Sequence, residues 1–310
     1  MIKRTLYFGH PAYLSLTNAQ MVIHLPANKQ MGLVSEKGIS DTTRTIPIED
    51  IGFIVLDHKQ VTITQALLDA LLQNDCAVVT CNDRPLPSGL FLPLAGNTLQ
   101  TERFRSQIHS SIPLKKQLWQ HTIKCKIANQ AAVLRMHRNM DTGNMDAWIK
   151  DVRSNDALNL EARAACYYWK ELFPDYDDFT REQEGDFPNN LLNYGYAILR
   201  AVIARSLVCA GLLPTLGIHH SNKYNAYCLA DDIMEPYRPY VDQLVLSIIK
   251  KHGEYIELTT DIKKELLSIP VIDVTLKHKR MPLMIAASQT ATSLLKSFDT
   301  GEVALQYPVL

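Results

Sequence analysis

A proline- and glycine-rich segment, RPLPSGLFLPLAG at residues 84–96, divides the chain into two parts with different hydrophobic patterns. Before it, apolar residues alternate with polar ones or form short runs, which predicts β-strands. After it, apolar residues recur at three- and four-residue spacing from Thr101 to about Phe298, which predicts helices. We therefore predict an α+β protein with a small β-rich N-terminal domain at residues 1–83, a linker at residues 84–98 and a larger all-helical C-terminal domain at residues 99–310.

The N-terminal part contains three strand signals and one helix signal. Apolar residues alternate on both sides of a Thr17-Asn18 turn, which predicts a hairpin. Two buried strands are expected at IGFIVLD (residues 51–57) and CAVVT (residues 76–80). Between them, residues 62–73 have helical spacing, with Thr62 or Thr64 as the capping residue.

Composition indicates a globular protein in a reducing compartment. Hydrophobic residues make up 46% of the chain and charged residues 21%, as in a globular protein. The sequence contains no run of about 18 apolar residues, so no membrane span is predicted. The N-terminus is predicted to be a strand and not a signal peptide. Six scattered cysteines form no C-x-x-C pair, which favours reduced thiols and a cytoplasmic location.

Charge is unevenly distributed although the formal net charge is +0. Residues 101–140 contain eight Lys and Arg residues against one acid, Glu102. Such a segment either follows the phosphates of a nucleic acid or forms a solvated helix face, and the sequence does not decide between the two.

Glu161, in NLEARAACYYW, is the first candidate site residue. On a helical projection it falls on the same side as Leu158, Ala162, Ala165 and Tyr168. A carboxylate on an apolar face needs a cation or hydrogen-bond donors. A metal ion and a salt bridge to an arginine at the edge of the core both meet that need.

His220, Asp232 and Glu235 form the second candidate group. His220 closes LGIHH, where His219 is the competing imidazole, and the two acids lie in LADDIMEPYRP. Asp232 and Glu235 have the spacing of a capping box, so they could simply start a helix. Alternatively they share a helical face beside a metal ion. Together with Glu161, this set of oxygen ligands and one imidazole suits Mg²⁺ or Mn²⁺ better than a structural zinc site.

Taken together, these strings resemble a known family. GLLPTLGIHHSNKYNAYCLADDIMEPYRPYVD (residues 211–242) resembles the catalytic segment of the CRISPR-associated adaptation integrase family, which inserts new spacers into the repeat array. DALNLEARAACYYWKELF (residues 156–173) resembles the helix that carries its first metal-binding Glu. RTLYFGHPAYLSLTNAQMVI resembles the opening hairpin of the form found in type II systems.

The resemblance implies an architecture and partners. It implies a β-rich N-terminal domain that forms a homodimer and a helical domain that holds the active site. Two dimers would be bridged by a dimer of a small companion adaptation protein. Double-stranded spacer and repeat DNA would be the substrate, and the type II effector nuclease and a DNA-end-binding accessory protein are further candidate partners. The tail after Arg280 carries no recognisable family motif.

The resemblance also implies residue roles and a reaction. Glu161, His220 and Glu235 would bind one Mg²⁺ or Mn²⁺ ion. Asp232 would lie beside these ligands without binding the ion, and Lys223 would contact DNA. The reaction would be attack of a spacer 3′-hydroxyl on a phosphodiester at the border of a repeat. A metal-dependent nuclease acting in repair or on mobile DNA is one rival hypothesis, and a non-catalytic DNA-binding scaffold subunit is the other.

Overall fold

The computed structural model describes residues 3–26, 42–82, 86–176, 179–182, 185–253 and 256–310. The chain divides into two compact units, Met1–Gly96 and Asn97–Leu310. The first unit is rich in strands and the second is predominantly helical, which confirms the predicted α+β class. Residues 27–41 of the predicted β-rich domain and residues 84–85 of the predicted linker lie outside the described residues.

The N-terminal unit contains two four-stranded sheets. Its elements are β1 (Arg4–Phe8), β2 (Ala12–Thr17), β3 (Gln20–Leu25), β4 (Thr42–Pro47), β5 (Ile51–Leu56), β6 (Val61–Ile63), α1 (Gln65–Gln73), β7 (Ala77–Cys81) and β8 (Pro87–Phe91). One sheet has the order β1-β5-β7-β8, in which β8 alone is antiparallel to its neighbour, and the other has the order β4-β3-β2-β6.

The predicted strands and the predicted helix of this unit are present. The hairpin of β2 and β3 turns at Asn18 and Ala19, one residue later than expected, and both residues have positive φ angles as a tight two-residue hairpin turn requires. Strand β5 is buried along five of its six residues, which explains its uninterrupted apolar sequence. Helix α1 is capped by Thr64, whose hydroxyl accepts the Leu67 N–H.

Part of the segment predicted as a linker is a strand. Pro87–Phe91 forms β8 and pairs with β7, from Val78 opposite Phe91 to Cys81 opposite Pro87. A proline can stand here because β8 lies at the edge of its sheet and Pro87 is its first residue. The boundary between the two units accordingly falls after Gly96.

Helices build the second unit. They are α2 (Gln100–His109), α3 (Ile112–Arg138), α4 (Gly143–Asp151), α5 (Leu160–Leu172), α6 (Asn189–Cys209), α7 (Cys228–Met234), α8 (Arg238–His252), α9 (Thr260–Leu266) and α10 (Leu283–Thr300). Short 3₁₀ turns at Ser154–Asp156, Glu235–Tyr237 and Ile269–Val271 lie between them. The long helix α3 begins at a Ser111 cap and ends at Asn139, which has the left-handed conformation typical of a helix end.

Helix α6 is the one described helix that is long and apolar enough to cross a membrane, and 78% of its apolar window is buried inside the protein. That burial is the pattern of a core helix.

The helical unit also contains a hairpin, so the prediction of an all-helical domain was wrong in this detail. Strands β9 (Asp273–Leu276) and β10 (Lys279–Pro282) pair through a turn at Lys277 and His278, both with positive φ angles. Four-residue strands are too short to stand out from helical periodicity in the sequence.

Candidate active site

The loop after α6 carries His219 and His220, and Gln107 of α2 fixes the part of the loop that precedes them in the chain. Gln107 of α2 donates to the carbonyls of Leu213 and Leu216, at 3.0 and 3.1 Å, and accepts the Leu213 N–H at 2.9 Å. Gln107 is almost completely buried, so these bonds satisfy its amide where water cannot.

Gly217 allows this loop to close tightly. A Cβ atom at this position would lie 2.3 Å from the His220 carbonyl oxygen and 2.7 Å from Asp232 Oδ2. Both distances are well inside van der Waals contact, so only glycine fits between the loop and Asp232.

Asp232 organises the two histidines. Its carboxylate accepts the backbone N–H groups of Ile218, His219 and His220 at 2.7, 2.9 and 3.2 Å, and it is also hydrogen-bonded to Nδ1 of His220. Asp232 lies inside α7 and is fully buried, so it does not start a helix as the capping-box alternative suggested.

Trp119 of α3 contacts the rings of both histidines. His219 stacks on the indole with ring centroids 4.1 Å apart, and His220 meets it edge-on at 5.5 Å. Burial lowers the pKa of His219. The hydrogen bond to Asp232 raises the pKa of His220, with further contributions from the charges of Asp232, Glu235 and Glu161 that outweigh partial burial. His220 is thus the imidazole bonded to Asp232, whereas His219 is stacked on Trp119.

Glu161 lies in the first turn of α5, and the start of that helix is set by Asp156. The Asp156 carboxylate accepts the N–H groups of Leu160 and Glu161 at 3.0 and 2.9 Å. Three residues with positive φ angles, Asn155, Asp156 and Asn159, bend the chain sharply enough to bring this carboxylate over the helix end.

The predicted face of α5 was wrong. Leu160, Ala164, Tyr168 and Leu172 are buried, whereas Leu158 lies before the helix and is 53% exposed. Glu161 lies at the edge of the buried stripe with its side chain 31% exposed. The Asp156 cap starts the helix at Leu160, so Leu158 is not part of it, and packing covers Ala164 in place of Ala162.

Glu235 begins the 3₁₀ turn after α7 and is almost fully buried between two cations. Arg238 donates to its Oε1 at 3.0 Å, and the Lys126 ammonium lies 2.6 Å from its Oε2. Burial on its own raises the pKa of Glu235, but Arg238 and Lys126 outweigh it, so the pKa lies below its usual value. Glu235 is thus held as a carboxylate.

Lys126 also contacts Glu161, and so it brings the two predicted ligands together. Its Nζ donates to Glu161 Oε1 at 2.6 Å, equal to its distance from Glu235. The two carboxylate oxygens can therefore be no more than twice that distance apart. Burial lowers the pKa of Lys126, but Glu235 and Glu161 more than compensate and raise it above its ordinary value.

The donor set fits a hard divalent ion. Two carboxylates converge on one cationic atom, and His220 commits Nδ1 to Asp232, which leaves Nε2 for a ligand. As the side chains stand, no three His, Cys, Asp or Glu residues within the described ranges are close enough to hold a metal. The Lys126 ammonium lies between the two carboxylates, 2.6 Å from an oxygen of each.

Lys223 lies on an exposed part of the loop. Its ammonium is 4.8 Å from the ring centroid of Tyr224, which is 84% exposed. An exposed cation beside an exposed aromatic ring is a suitable surface for a nucleic acid.

The basic segment at residues 101–140 divides between structural and surface roles. Arg103 donates to the Ala210 carbonyl and Arg138 to the Leu172 carbonyl, while Lys126 lies in the site. Arg105 and Lys116 are exposed. Neither alternative for this segment is therefore correct for all eight residues.

Sequence reasoning missed Lys126, Asp156 and Trp119. Lys126 had a usable signal, because Trp119, Thr122, Lys126 and Asn129 recur at three- and four-residue spacing on one face of α3 and all four are buried. A lysine on such a face needs a buried anionic partner.

The fold has two units, and the second holds this acid–imidazole cluster. Comparison with known proteins gives the family. The model of the family described as "CRISPR associated protein Cas1" matches residues 8–265. The chain is 35% identical to the CRISPR-associated endonuclease Cas1 of Neisseria meningitidis serogroup C (strain 8013), over 97% of this chain and 92% of that protein. The chain belongs to the Cas1 family.

Solved structures share the fold. A casposase bound to integration product superposes with a TM-score of 0.76 at 20% identity, covering 97% of this chain and 92% of that one. A Cas6-RT-Cas1–Cas2 complex gives a TM-score of 0.73 at 19% identity, covering 99% of this chain and 36% of that one. The family match and the 35% identical relative confirm the expected resemblance to the adaptation family, and these structures confirm its fold.

Proposed function

We propose that this Cas1-family chain is a metal-dependent DNA integrase and endonuclease of CRISPR adaptation, which inserts short duplex spacers into a repeat array. The observation that carries the proposal is the convergence of Glu161 and Glu235 on one cationic atom, beside an imidazole oriented by Asp232. The relative from Neisseria meningitidis, named an endonuclease, supports the same class of chemistry.

Glu161, Glu235 and Nε2 of His220 would hold a Mg²⁺ or Mn²⁺ ion. When bound, the ion would lower the pKa of an attacking hydroxyl and stabilise negative charge on the phosphate and the leaving oxygen. Asp232 keeps His220 in the tautomer whose Nε2 carries a lone pair, because Nδ1–H is donated to the carboxylate. Arg238 holds the Glu235 carboxylate in orientation through Oε1.

The reaction forms one phosphodiester bond for each one that it breaks. The spacer 3′-hydroxyl forms one phosphorus–oxygen bond while the bond to the leaving 3′-oxygen breaks, and the hydroxyl proton ends on that oxygen. One phosphodiester replaces another, so no nucleotide cofactor is required. With water as the nucleophile, the same groups would hydrolyse DNA.

Partners follow from the family and from the charge pattern. We propose double-stranded DNA as the substrate, contacted by Lys223 and the exposed residues of the basic segment. We also propose a companion protein dimer that bridges two copies of a homodimer, which is supported by the Cas1–Cas2 complex of a relative. The type II effector nuclease and a DNA-end-binding accessory protein remain proposals from the resemblance alone, as does a cytoplasmic location.

The deciding experiment is strand transfer. Purified chain, companion protein, a short duplex and a repeat-bearing plasmid are incubated with Mg²⁺ or Mn²⁺, and joined products are sequenced. We expect spacer ends joined at the two borders of a repeat. Cutting without joining would favour the repair nuclease, and DNA binding without either reaction would favour the scaffold.

The homodimer is proposed to form through the N-terminal unit, whose two open sheets leave strand edges that a second copy could cover. Light scattering should give the mass of a dimer. Phe91→Glu, at an exposed position of the edge strand β8, should weaken it, whereas Ile112→Glu, at an exposed position of α3, should not. A monomeric wild-type chain at tens of micromolar would contradict this architecture.

A further inference from the structure

Lys126 stands out because its ammonium is shared equally by the two carboxylates of the site. Its Nζ lies 2.6 Å from Glu161 Oε1 and 2.6 Å from Glu235 Oε2. The side chain is only 9% exposed, so water does not compete for these contacts. A single buried cation therefore joins two acids that come from different helical segments.

The position of Lys126 is fixed by its neighbours on α3. Thr122, one turn before it, is hydrogen-bonded to the Tyr307 hydroxyl at 2.9 Å. Asn129, one turn after it, donates to the Pro236 carbonyl at 2.8 Å. Both anchors are fully buried, and Pro236 is the residue next to Glu235. These two contacts hold α3 in place, and the helix therefore positions the Lys126 ammonium against Glu161 and Glu235.

The buried acid needs this cation when no metal is bound. Glu235 is almost fully buried, and its two oxygens are divided between Arg238 and Lys126. A buried carboxylate that loses a partner is strongly destabilising. Without Lys126, Glu235 Oε2 and Glu161 Oε1 would face each other with no charge between them.

In this geometry Lys126 would compete with a metal ion for the same position. Mg²⁺ binds carboxylate oxygens at about 2.0–2.1 Å, and an ion bound to both carboxylates would lie in the space where the ammonium now lies. Two cations cannot share that space, because they would overlap and repel each other.

We propose that Lys126 is a built-in cation that occupies the metal position in the metal-free protein, competes with the divalent ion and leaves the two carboxylates when the ion binds. The inference rests on the proposed function, in which Glu161 and Glu235 are ligands of that ion. It assigns to Lys126 the separate role of keeping the site assembled before the metal arrives.

Replacement of Lys126 by the divalent ion makes the net charge of the site more positive. Among the four groups in direct contact, the charges of Glu161 and Glu235 are cancelled by those of Lys126 and Arg238. A divalent ion adds two positive charges while Lys126 stays tethered nearby on α3. The site therefore becomes attractive to a phosphodiester only after metal binding.

The test compares Mn²⁺ affinity in wild type and Lys126→Met, measured by calorimetry and by Mn²⁺ electron paramagnetic resonance. Methionine is unbranched like lysine, ends one heavy atom before the ammonium position, and removes the charge. Because a competing charge a few ångströms away is lost, we expect Mn²⁺ to bind roughly tenfold or more tightly. Lys296→Met, on the exposed surface of α10, is the matched control and should leave the affinity unchanged.

Thermal unfolding provides the second readout. In EDTA, Lys126→Met should melt below wild type, and Mn²⁺ should restore more stability to the variant than it adds to wild type. A variant that folds only with Mn²⁺ would support the proposal in its strongest form.

A third measurement uses the wild-type chain, in case the variant does not fold at all. The ¹⁵N-edited NMR signal of the Lys126 ammonium should shift when Mg²⁺ is added, as its two carboxylate partners are lost. An unmoved signal at saturating Mg²⁺, or equal or weaker Mn²⁺ binding by Lys126→Met, overturns the inference while leaving the metal site intact. Absence of Mn²⁺ binding in wild type would instead remove the proposed metal site itself.

Discussion

Asp232 and His220 are joined twice, through the His220 backbone N–H at 3.2 Å and through the imidazole Nδ1. One buried carboxylate thereby fixes both the position of the loop and the orientation of the ring it carries. The Asp232 side chain also accepts the N–H groups of Ile218 and His219, so the loop has no freedom to present His220 differently.

This arrangement predicts a large effect of Asp232→Ala on stability and metal binding. The substitution leaves three backbone N–H groups without their acceptor, and a buried unsatisfied donor costs about 1–3 kcal/mol. We expect the free energy of unfolding in urea to fall by about 3 kcal/mol and Mn²⁺ affinity to fall with it. Asp231→Ala, which removes a partner of Arg200, serves as the comparison and should spare Mn²⁺ affinity.

The three proposed ligands should behave alike. Glu161→Gln, His220→Ala and Glu235→Gln are each expected to lower strand transfer by about 100-fold or more, because each removes a donor to the same ion. Duplex binding in EDTA should change little. His219→Ala should retain activity, since its ring is stacked on Trp119. If His219→Ala were inactive and His220→Ala active, the imidazole assignment would be wrong.

Asp242 gives the folded state a specific pH dependence. Burial raises the pKa of Asp242 to about 6, despite hydrogen bonds from the Tyr196 and Tyr168 hydroxyls and the charges of Arg181 and Arg238. In the unfolded chain the carboxyl titrates near 3.9. Between these values the folded state binds the extra proton, so its contribution to stability falls as pH rises from about 4 to 6 and is constant above that.

Asp242→Asn should remove this dependence. The difference in unfolding free energy, variant minus wild type, should rise by about 3 kcal/mol between pH 4 and pH 7. Urea melts at a series of pH values measure it. A difference that stays flat across this range would show that Asp242 is ionised normally in the folded protein.

The tail should stabilise the segment that carries Glu235. Asn129 donates to the carbonyls of Pro236 and Pro308, at 2.8 and 3.1 Å, and accepts the Leu310 N–H at 3.1 Å. Asn129→Ala breaks all three bonds and is expected to cost about 2–4 kcal/mol of stability in urea melts. Val309→Ala, at an exposed position of the same tail, should cost less than about 0.5 kcal/mol.

Duplex binding should depend steeply on salt. Each phosphate neutralised by the protein contributes roughly 0.9 to the slope of log affinity against log salt. Lys223→Ala is therefore expected to reduce that slope by about one and to weaken binding without changing Mn²⁺ affinity. Lys296→Ala is the matched surface control. Affinity that does not change between low and moderate salt would argue against a phosphate-binding surface.

Local sequence determined many of the elements of this protein. The apolar run at residues 51–56, the alternation around Asn18 and the Thr64 cap each act over a few residues, and each structure formed at the predicted place or one residue from it. The string around His220 and Glu235 likewise predicted two residues of the candidate site, because they lie within one short stretch.

Tertiary packing decided how that site is held together. Lys126 and Glu161 are 35 residues apart and Gln107 and Leu216 are 109 apart, so no periodicity within either segment records their contact. The buried face of α5 was also decided by packing, since the fold covers Leu160, Ala164, Tyr168 and Leu172 and not the projected set. Hydrophobic spacing reports which side of an element is buried, whereas a buried charge is stabilised only by the partner that the fold places against it.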